Sequence, residues 1–343
     1  MKKSLIALAI AAASSTTAFA GADVYGQARM SIDKSSGSGA TETQKKTSMN
    51  DRVSRIGVKG SEDLGGGMSA VYGMEWGVDL NDNLDGTQTA TAGGVFGARN
   101  AFVGLKGAFG TVLGGKHDTP YKLAGSADLF GDTAADSQDG AGIIGYGNFD
   151  LRATNALAYI SPDWNGFHFA AAVTNNGTTT TNGANISDST SLALVYVNGP
   201  LKATYGYENH GDKTLSTAAE DATAGEKANK FNVAYKIGDI ALGYTYEKQD
   251  RQTVAGTTTA TAAGDAKNQV ASVAYGMGPI TLAAQYGKRN TTNNSLDKNR
   301  TTLGVIYALS KKTNAAVAYN SDKDGNGTTT KVNITTVQLN HAF

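Results

Sequence analysis

The sequence predicts an all-β fold, a transmembrane antiparallel β-barrel, and three observations support this fold class. The second half of the chain alternates apolar and polar residues in runs of about ten, which is the periodicity of a strand. Short turns alternate with long loops rich in Thr, Asn and Gly. No run of about eighteen apolar residues occurs, so spanning helices are excluded. Tilted strands of about ten residues are long enough to cross a bilayer.

Two segments make the alternation clear. In residues 240–247, Ile, Leu and Tyr occupy every second position, and Ala, Gly, Thr and Glu lie between them. Residues 280–287 repeat the pattern with Ile, Leu, Ala and Tyr. Successive side chains of a strand point to opposite faces, so one face of each segment is apolar and the other is small or polar. This distribution is typical of a barrel wall between lipid and an aqueous lumen.

The first twenty residues have the organisation of a secretory signal. Lys2 and Lys3 give a basic start, an apolar stretch follows, and residues 18–20 read Ala-Phe-Ala, a small-x-small cleavage motif. We predict that residues 1–20 are a signal peptide removed after Ala20 during export. Residues 21–343 then form a single barrel domain, because a closed sheet cannot be divided into smaller units.

Composition removes several classes of function. The chain has 30 Lys and Arg, and without Lys2 and Lys3 the remaining 28 face 30 Asp and Glu, a formal charge of about −2 that does not support nucleic-acid binding. Cysteine is absent, which excludes disulfides and thiolate chemistry. The four histidines are scattered, and neither a Gly-x-Ser-x-Gly nor a His-Glu-x-x-His motif occurs. We therefore expect no catalysis, no metal and no cofactor.

The strand pattern gives sixteen strands, with both termini at the end of the barrel that carries the short turns, which we assign to the periplasm. Sixteen strands leave an aqueous lumen, whereas about eight would be filled by side chains. On the last strand Val332 and Ile334 break the apolar alternation, so a bulge or register change is expected near Thr335. The predicted strands cover residues 22–34, 51–60, 67–79, 96–107, 110–117, 152–161, 167–174, 189–197, 200–209, 228–236, 239–249, 267–276, 279–289, 298–308, 312–321 and 331–343.

Alternation also assigns basic side chains to the lumen. Ile56, on the lipid face, sends Arg55 to the lumen, and Leu113 likewise sends Lys116. The parity of Arg99 stays open, because two adjacent residues that follow it on the strand are both apolar. The bases assigned to the lumen by parity are Arg29, Arg55, Lys59, Lys116 and Arg152.

The third long connection, residues 117–151, is unusually acidic. Folded inward, it would set its carboxylates against the bases of the wall and narrow the passage. Opposed charges about 8 Å apart interact by only about 0.5 kcal/mol at the dielectric constant of water, and severalfold more where low-dielectric walls intrude. A string of aspartates is also typical of a solvated surface loop, and this alternative stays open. The candidate acids are Asp118, Asp128, Asp132 and Asp136.

Two blocks of sequence resemble the general-diffusion porins of Gram-negative outer membranes. Residues 54–67, Ser-Arg-Ile-Gly-Val-Lys-Gly-Ser-Glu-Asp-Leu-Gly-Gly-Gly, are similar to that family's second and third strands. Residues 102–107 with 110–116 are similar to its fourth and fifth strands. The terminal Phe343 matches the aromatic end by which such barrels are recognised for assembly. The resemblance covers the mature chain in architecture.

The resemblance implies a homotrimer of outer-membrane barrels that passively admit small hydrophilic solutes and ions, each with its third loop folded into the lumen as an eyelet. It places Arg55, Arg99 and Arg152 in the family's basic cluster. It places Asp128 and Asp132 near the family's acidic loop residues. Contact with outer-membrane lipid, lipopolysaccharide and the barrel assembly machinery follows from the same resemblance, and contact with nucleic acid does not.

Several alternatives remain at this point. Gly57, Gly73 and Gly104 fit either close subunit packing or sheet curvature. A substrate-specific channel for a sugar or an anion would line its path with aromatic residues, whereas most tyrosines here take the lipid-facing parity. A secreted adhesin is disfavoured by the outward aromatic residues at strand ends, which membrane interfaces require. Ion preference stays open, although arginines on strands are held more firmly than acids on a loop, which favours anions.

Overall fold

A computed structural model describes most of the chain. The described residues are 21–37, 46–81, 96–138, 142–147, 149–174, 189–211, 225–251, 264–292, 296–325 and 330–343. The predicted signal peptide, residues 1–20 with cleavage after Ala20, lies outside them. Among the helices of the described ranges, none is long and apolar enough to cross a membrane.

Antiparallel strands form one sheet that follows the order of the chain. The described elements are β1 (Asp23–Ser36), β2 (Thr47–Asp51), β3 (Arg55–Gly65), β4 (Met68–Val78), β5 (Phe96–Gly107), β6 (Gly110–Asp118), α1 (Pro120–Leu123), β7 (Arg152–Ile160), β8 (Phe167–Thr174), β9 (Ser189–Asn198), β10 (Leu201–His210), β11 (Lys227–Ile237), β12 (Ile240–Asp250), β13 (Ala266–Met277), β14 (Ile280–Thr291), β15 (Lys298–Ala308), β16 (Thr313–Asp324) and β17 (Thr330–Ala342).

The strands occupy sixteen positions in a closed barrel, because β2 and β3 share one position. Both pair with β1, and a break between Asp51 and Arg55 separates them. Val53 lies in this break with φ of 60°, a left-handed conformation that a β-branched residue rarely adopts. The predicted all-β barrel of sixteen strands is therefore confirmed, and most predicted strand ends agree with the observed ends within three residues.

The barrel closes between its first and last strands. β1 pairs with β17 from Gln27 opposite Ala342 to Ser36 opposite Asn333. Beyond that ladder, the backbone N–H of Phe343 donates to the carbonyl of Gly26 at 3.1 Å. A Cβ atom on Gly26 would lie 2.5 Å from the Phe343 ring, so the terminal aromatic ring packs where only glycine leaves room.

The two faces of the sheet differ as the alternation predicts. On β15, Leu303 and Val305 are exposed on the outer face. Thr302, on the opposite face of the same strand, is buried and donates its hydroxyl hydrogen to Asn320 of β16 at 3.0 Å. Aromatic residues such as Trp76 are also exposed on the outer face. A continuous apolar exterior around a polar interior is the arrangement that a barrel in lipid requires.

The prediction of a bulge or register change near Thr335 is wrong. β17 pairs without a register shift on both sides. Val332 and Ile334 lie on the inner face, opposite Asp322 and Asn320, and are half-buried there. Register shifts occur instead between Asp63 and Gly65, between Met74 and Trp76, and between Gly115 and His117. Because these two apolar residues face inward, the sequence shows the same break in alternation that a bulge would cause.

Subunit packing is also the wrong explanation for the three glycines of the early strands. A Cβ atom on Gly57 would lie 2.5 Å from the Tyr25 ring, whose hydroxyl reaches Glu75 on the inner face. A Cβ atom on Gly73 would lie 2.8 Å from Phe102, and one on Gly104 would lie 2.9 Å from the Cβ of Leu113. These glycines make room for inward-facing side chains.

Two neighbouring substitutions on β15 test the assignment of faces. We expect Val305→Lys to lower the free energy of unfolding by up to about 2–4 kcal/mol, because a lysine on the lipid face must be desolvated. Ile306→Lys at the same depth faces the lumen and should cost much less. Urea unfolding of the barrel in lipid vesicles measures both values, and equal costs would contradict the assignment.

Candidate charged site inside the barrel

The segment that follows β6 lies against the inner face of the barrel. Its helix α1 begins after Thr119, whose Oγ1 accepts the N–H of Lys122 at 3.2 Å. Further along, the Ala127 N–H donates to Thr245 of β12 at 2.7 Å, and the Leu129 N–H donates to Gln285 of β14 at 2.8 Å. These acceptors are buried side chains of the inner face. The described parts of residues 119–151 therefore cover several strands from within.

A buried carboxylate on β12 anchors this segment. Glu247 is fully buried and accepts hydrogen bonds from the Tyr121 hydroxyl, from the Gly145 N–H at 3.0 Å and from Asn268 Nδ2 at 2.6 Å. The ammonium of Lys230 lies 4.3 Å from the centroid of the Tyr121 ring. Tyr121 and Gly145 lie toward opposite ends of the segment, so their hydrogen bonds to the buried Glu247 hold both ends in place.

The tip of the segment reaches bases on β1 and β3. Asp132 Oδ2 lies 3.3 Å from Arg29 Nη1 and 3.6 Å from Arg55 Nη1. Arg29 also donates to the carbonyl oxygen of Gly131 at 3.0 Å. Asp132 has φ of 58°, a left-handed conformation that turns the chain at this tip. The structure thus brings three of the predicted site residues, Arg29, Arg55 and Asp132, into direct contact.

Glu75 of β4 is a charged residue that the sequence reasoning missed. Its carboxylate lies 2.5 Å from Arg99 Nε and 3.6 Å from Arg55 Nε. The signal was present in the sequence, because Met74 and Trp76 are exposed apolar neighbours that send Glu75 to the inner face. Three guanidinium groups, those of Arg29, Arg55 and Arg99, therefore share two carboxylates.

A bulge on β5 accounts for the position of Arg99. The register with β4 passes from Met74 opposite Ala101 to Trp76 opposite Ala98. Two consecutive residues, Arg99 and Asn100, then lie opposite Glu75 alone. Both reach inner-face partners, which simple alternation cannot predict.

A second charged cluster lies where β6 and β7 meet the inner segment. Asp118 Oδ1 is 3.1 Å from Arg152 Nη2 and 3.6 Å from Lys122 Nζ. Lys122 Nζ is also 3.1 Å from Asp150 Oδ2. Asn100 links this cluster to β5 by donating to Asp118 at 3.1 Å and accepting from Arg152 at 2.8 Å. Burial alone lowers the pKa of Lys122, but Asp150 and Asp118 raise that pKa above its usual value, so this ammonium stays charged.

Two predicted acids serve the internal structure of the segment. Asp128 accepts the N–H groups of Phe130 at 3.1 Å and Ser137 at 3.3 Å, the first in an Asx-type turn. Asp136 accepts the Asp132 N–H at 2.6 Å, and its backbone carbonyl accepts from Arg300 of β15. Within the described part of the chain, no basic side chain lies within ion-pair distance of Asp128, so it does not confront the wall arginines as expected.

Two predicted bases lie apart from the charged clusters. Lys59 is exposed, with its ammonium 5.2 Å from the centroid of the inner-face Tyr25 ring. Lys116 pairs with Ala101 on the outer face and donates to the carbonyl of Ala98 at 3.0 Å. The expectation that Lys116 lines the lumen is wrong, because Leu113 is buried in an inner apolar cluster rather than facing lipid. The sequence analysis therefore exchanged the lipid-facing and lumen-facing sides of β6.

Comparison with known proteins gives consistent matches. The family described as Gram-negative porin matches residues 5–327. The major outer membrane protein P.IB of Neisseria lactamica is 28% identical over 362 residues, which cover 100% of both chains. The anion-selective porin from Comamonas acidovorans has a TM-score of 0.75 and 20% identity, and the match covers 94% of this chain and 99% of that chain. A trimer form of OmpT, an outer membrane protein of Vibrio cholerae, has a TM-score of 0.66 and 16% identity, with coverage of 94% and 99%.

Glu247→Ala tests the anchor of the inner segment. The change leaves the Tyr121 hydroxyl and the Gly145 N–H without their buried acceptor, at a cost of about 1–3 kcal/mol for each unpaired group. We expect hydrogen exchange of the Gly145 amide to accelerate at least about tenfold, while the amides of β13 keep their protection. Glu62→Ala, at an exposed position of β3, is the matched control. Unchanged exchange at Gly145 would rule out the anchor.

Proposed function

This chain belongs to the family of Gram-negative porins and is an outer-membrane channel, not an enzyme, and from this premise we propose that a charged constriction makes its passage selective. The contact of Asp132 with Arg29 and Arg55, at 3.3 and 3.6 Å, carries the proposal. It ties the inner segment to strands that are distant from its anchors on β12 and β14. A solute that passes the segment must therefore pass this charged contact.

The proposed constriction has two parts. Arg29, Arg55 and Arg99 with Glu75 and Asp132 form the first part. Arg152 and Lys122 with Asp118 and Asp150 form the second, and Asn100 joins the two. Charges fixed at a narrow aqueous passage act on solutes at short range, where low-dielectric walls strengthen the field. Such a field orients and filters polar solutes without binding them tightly.

We propose a preference for anions. In the first part, three guanidinium groups face two carboxylates. In the second part, two bases face two acids, so the surplus charge is positive. The porin of Comamonas acidovorans is named anion-selective, but at 20% identity it shares the fold alone. The excess of basic groups over acidic groups in these two clusters therefore supports the preference.

General diffusion of small hydrophilic solutes fits the interior better than a specific sugar channel does. A sugar path needs a run of aromatic rings that face the lumen. Here the exposed tyrosines lie on the outer face, including Tyr235, Tyr244 and Tyr275. Tyr121 and Phe149, which face inward, are fully buried under the inner segment and present no surface to a solute.

A homotrimer is part of the proposal. Among the residues that the structure describes, the most exposed large apolar side chains lie on β5, β1 and β2: Val103 at 64%, Val24 at 62%, Phe96 at 59% and Met49 at 58%. These exposed apolar side chains on the early strands suit contact with two further copies of the chain. The OmpT structure from Vibrio cholerae is described as a trimer form.

The remaining partners follow from the route to the outer membrane. The proposed route is export under a signal cleaved after Ala20, recognition of Phe343 by the barrel assembly machinery, and contact with outer-membrane lipid and lipopolysaccharide. The side chain of Phe343 is 48% exposed at the end of β17. This exposure supports the step in which the assembly machinery recognises Phe343.

The double substitution Arg55→Gln with Arg152→Gln tests the constriction. Each charge contributes about 0.5 kcal/mol at short range, which corresponds to about a twofold change in relative permeability. We expect the reversal potential under a salt gradient to shift toward cations. Lys312→Gln, in an exposed turn, removes a charge elsewhere and should leave the potential unchanged. An unaltered potential in the double variant would refute the role of these arginines.

Glu75→Gln tests the same site with the opposite sign. Removal of this carboxylate leaves the positive charges of Arg55 and Arg99 with less negative charge to balance them. The reversal potential should shift toward anions, measured on the same planar bilayers. A shift toward cations would mean that Glu75 does not set the charge of the passage.

A further inference from the structure

A bulge turns Asn100, an uncharged residue of β5, into the charged site. In a regular strand Arg99 and Asn100 would point to opposite faces, but the shift of register at Glu75 directs both to the inner face. The side chain of Asn100 makes three hydrogen bonds, to Asp118 of β6 and to Arg152 of β7. One neutral side chain therefore connects three neighbouring strands where the two parts of the proposed constriction meet.

The three hydrogen bonds use both ends of the amide. Its oxygen Oδ1 accepts from Arg152 Nε at 2.8 Å and from the backbone N–H of Asp118 at 3.1 Å. Its nitrogen Nδ2 donates to Asp118 Oδ2 at 3.1 Å. This position therefore requires an acceptor and a donor on one planar group, which an amide supplies without a charge.

The register shows how far Arg152 reaches for this contact. Arg152 of β7 lies directly opposite Asp118 of β6. Asn100 lies on β5, on the far side of β6, so the side chain of Arg152 crosses β6, and two strand spacings amount to about 10 Å. This path leads the guanidinium group toward Arg99, which precedes Asn100 in the chain. Because like charges repel, Arg152 needs a partner on β5 to stay in this position.

The first part of the constriction holds its arginines in a different way. Glu75 contacts the Nε atoms of Arg99 and Arg55, at 2.5 and 3.6 Å. The carboxylate orients these two groups and also balances part of their charge. Asn100 binds Arg152 through the same atom, Nε, and adds no negative charge. The amide thus orients a guanidinium group and leaves its charge available to a solute.

We propose that Asn100 is a positioning residue for ion selectivity, because it holds the guanidinium group of Arg152 toward the first part of the constriction. The inference rests on the proposed constriction and deepens it, since it gives a selective role to a residue without charge. When the amide is removed, Arg152 Nε loses its acceptor and Asp118 Oδ2 loses its donor. Arg152 then turns back and pairs with both oxygens of Asp118. Such a bidentate pair shields more of the positive charge from a passing anion.

The test measures the reversal potential of the full-length protein in planar lipid bilayers under a salt gradient. Asn100→Ala removes the amide and leaves the number of charged groups unchanged. We expect the ratio of anion to cation permeability to fall by up to about twofold, which is the effect of one charge at short range. Asn100→Leu keeps most of the volume of the side chain and should give the same fall, so a wider passage does not account for it.

Asn314→Ala is the matched control. Asn314 lies opposite Asn340, which lies opposite Arg29, so all three share the inner face. Among the described residues, no arginine donates a hydrogen bond to Asn314. We expect its removal to leave the permeability ratio unchanged. Conductance in concentrated salt, where the charges are screened, shows that each variant forms an open channel.

A double substitution separates positioning from a general disturbance of the site. If Asn100 acts through Arg152, Asn100→Ala has no further effect once Arg152 is replaced in Arg152→Gln, so the two changes are not additive. A shift of equal size in both backgrounds would overturn the proposal. A fall in Asn100→Ala without one in Asn100→Leu would also overturn it, because the effect would then come from volume.

The single variants distinguish this inference from the proposed function. If Arg152→Gln lowers the permeability ratio and Asn100→Ala does not, the positioning role is refuted and the charged constriction stands. If Arg152→Gln leaves the ratio unchanged, both are refuted, because Asn100 then holds a group that has no influence on the passage. An equal fall in Asn314→Ala and Asn100→Ala would refute the special role of Asn100.

Discussion

Every backbone N–H and C=O group that faces hydrocarbon must find a partner within the protein, and this constraint determines the rest of the structure. No water is present in the bilayer core to replace a missing partner. The sheet meets the constraint by pairing β1 with β17, so that it has no free edge among the described strands. Once the backbone is satisfied in this way, the side chains divide between lipid and lumen by parity wherever the ladder is regular.

The fold could be predicted from the sequence because that division leaves a clear pattern. Strand periodicity located the strands, and parity placed Arg29 and Arg55 on the inner face, where they contact Asp132. Parity failed where the ladder is irregular or where the inner face is apolar. The bulge opposite Glu75 puts Arg99 and Asn100 on the same side. A bulge depends on cross-strand contacts, which a single strand's sequence does not reveal.

Leu113 shows a second limit of the pattern. An apolar side chain satisfies the alternation equally well against lipid or against Phe102 in an inner cluster. The sequence carries no sign of which one is present, and the choice reverses the face of Lys116. Small neighbours such as Ala158 and Ala172 make the inner cluster possible. The packing of β7 and β8 therefore decides the orientation of β6.

The acids of the inner segment were recognisable as a group but not individually. Asp132 reaches the wall whereas Asp128 holds a turn, and the difference arises from where the segment is fastened. Its anchor joins Tyr121 to Glu247, 126 positions apart in the chain. Contacts over such separations leave no periodic trace in the sequence.

The seam between Gly26 and Phe343 has a consequence for biogenesis. Two hydrogen bonds join Gly26 of β1 to Phe343, which follows β17, so the ring closes only when both of these strands have been made. A prematurely terminated chain retains two unpaired rims, which invite aggregation. Closure over nearly the whole chain also makes folding slow, because the longest loop must form before its contacts compensate the lost entropy. The topology therefore makes the presence of both β1 and β17 a precondition of barrel closure.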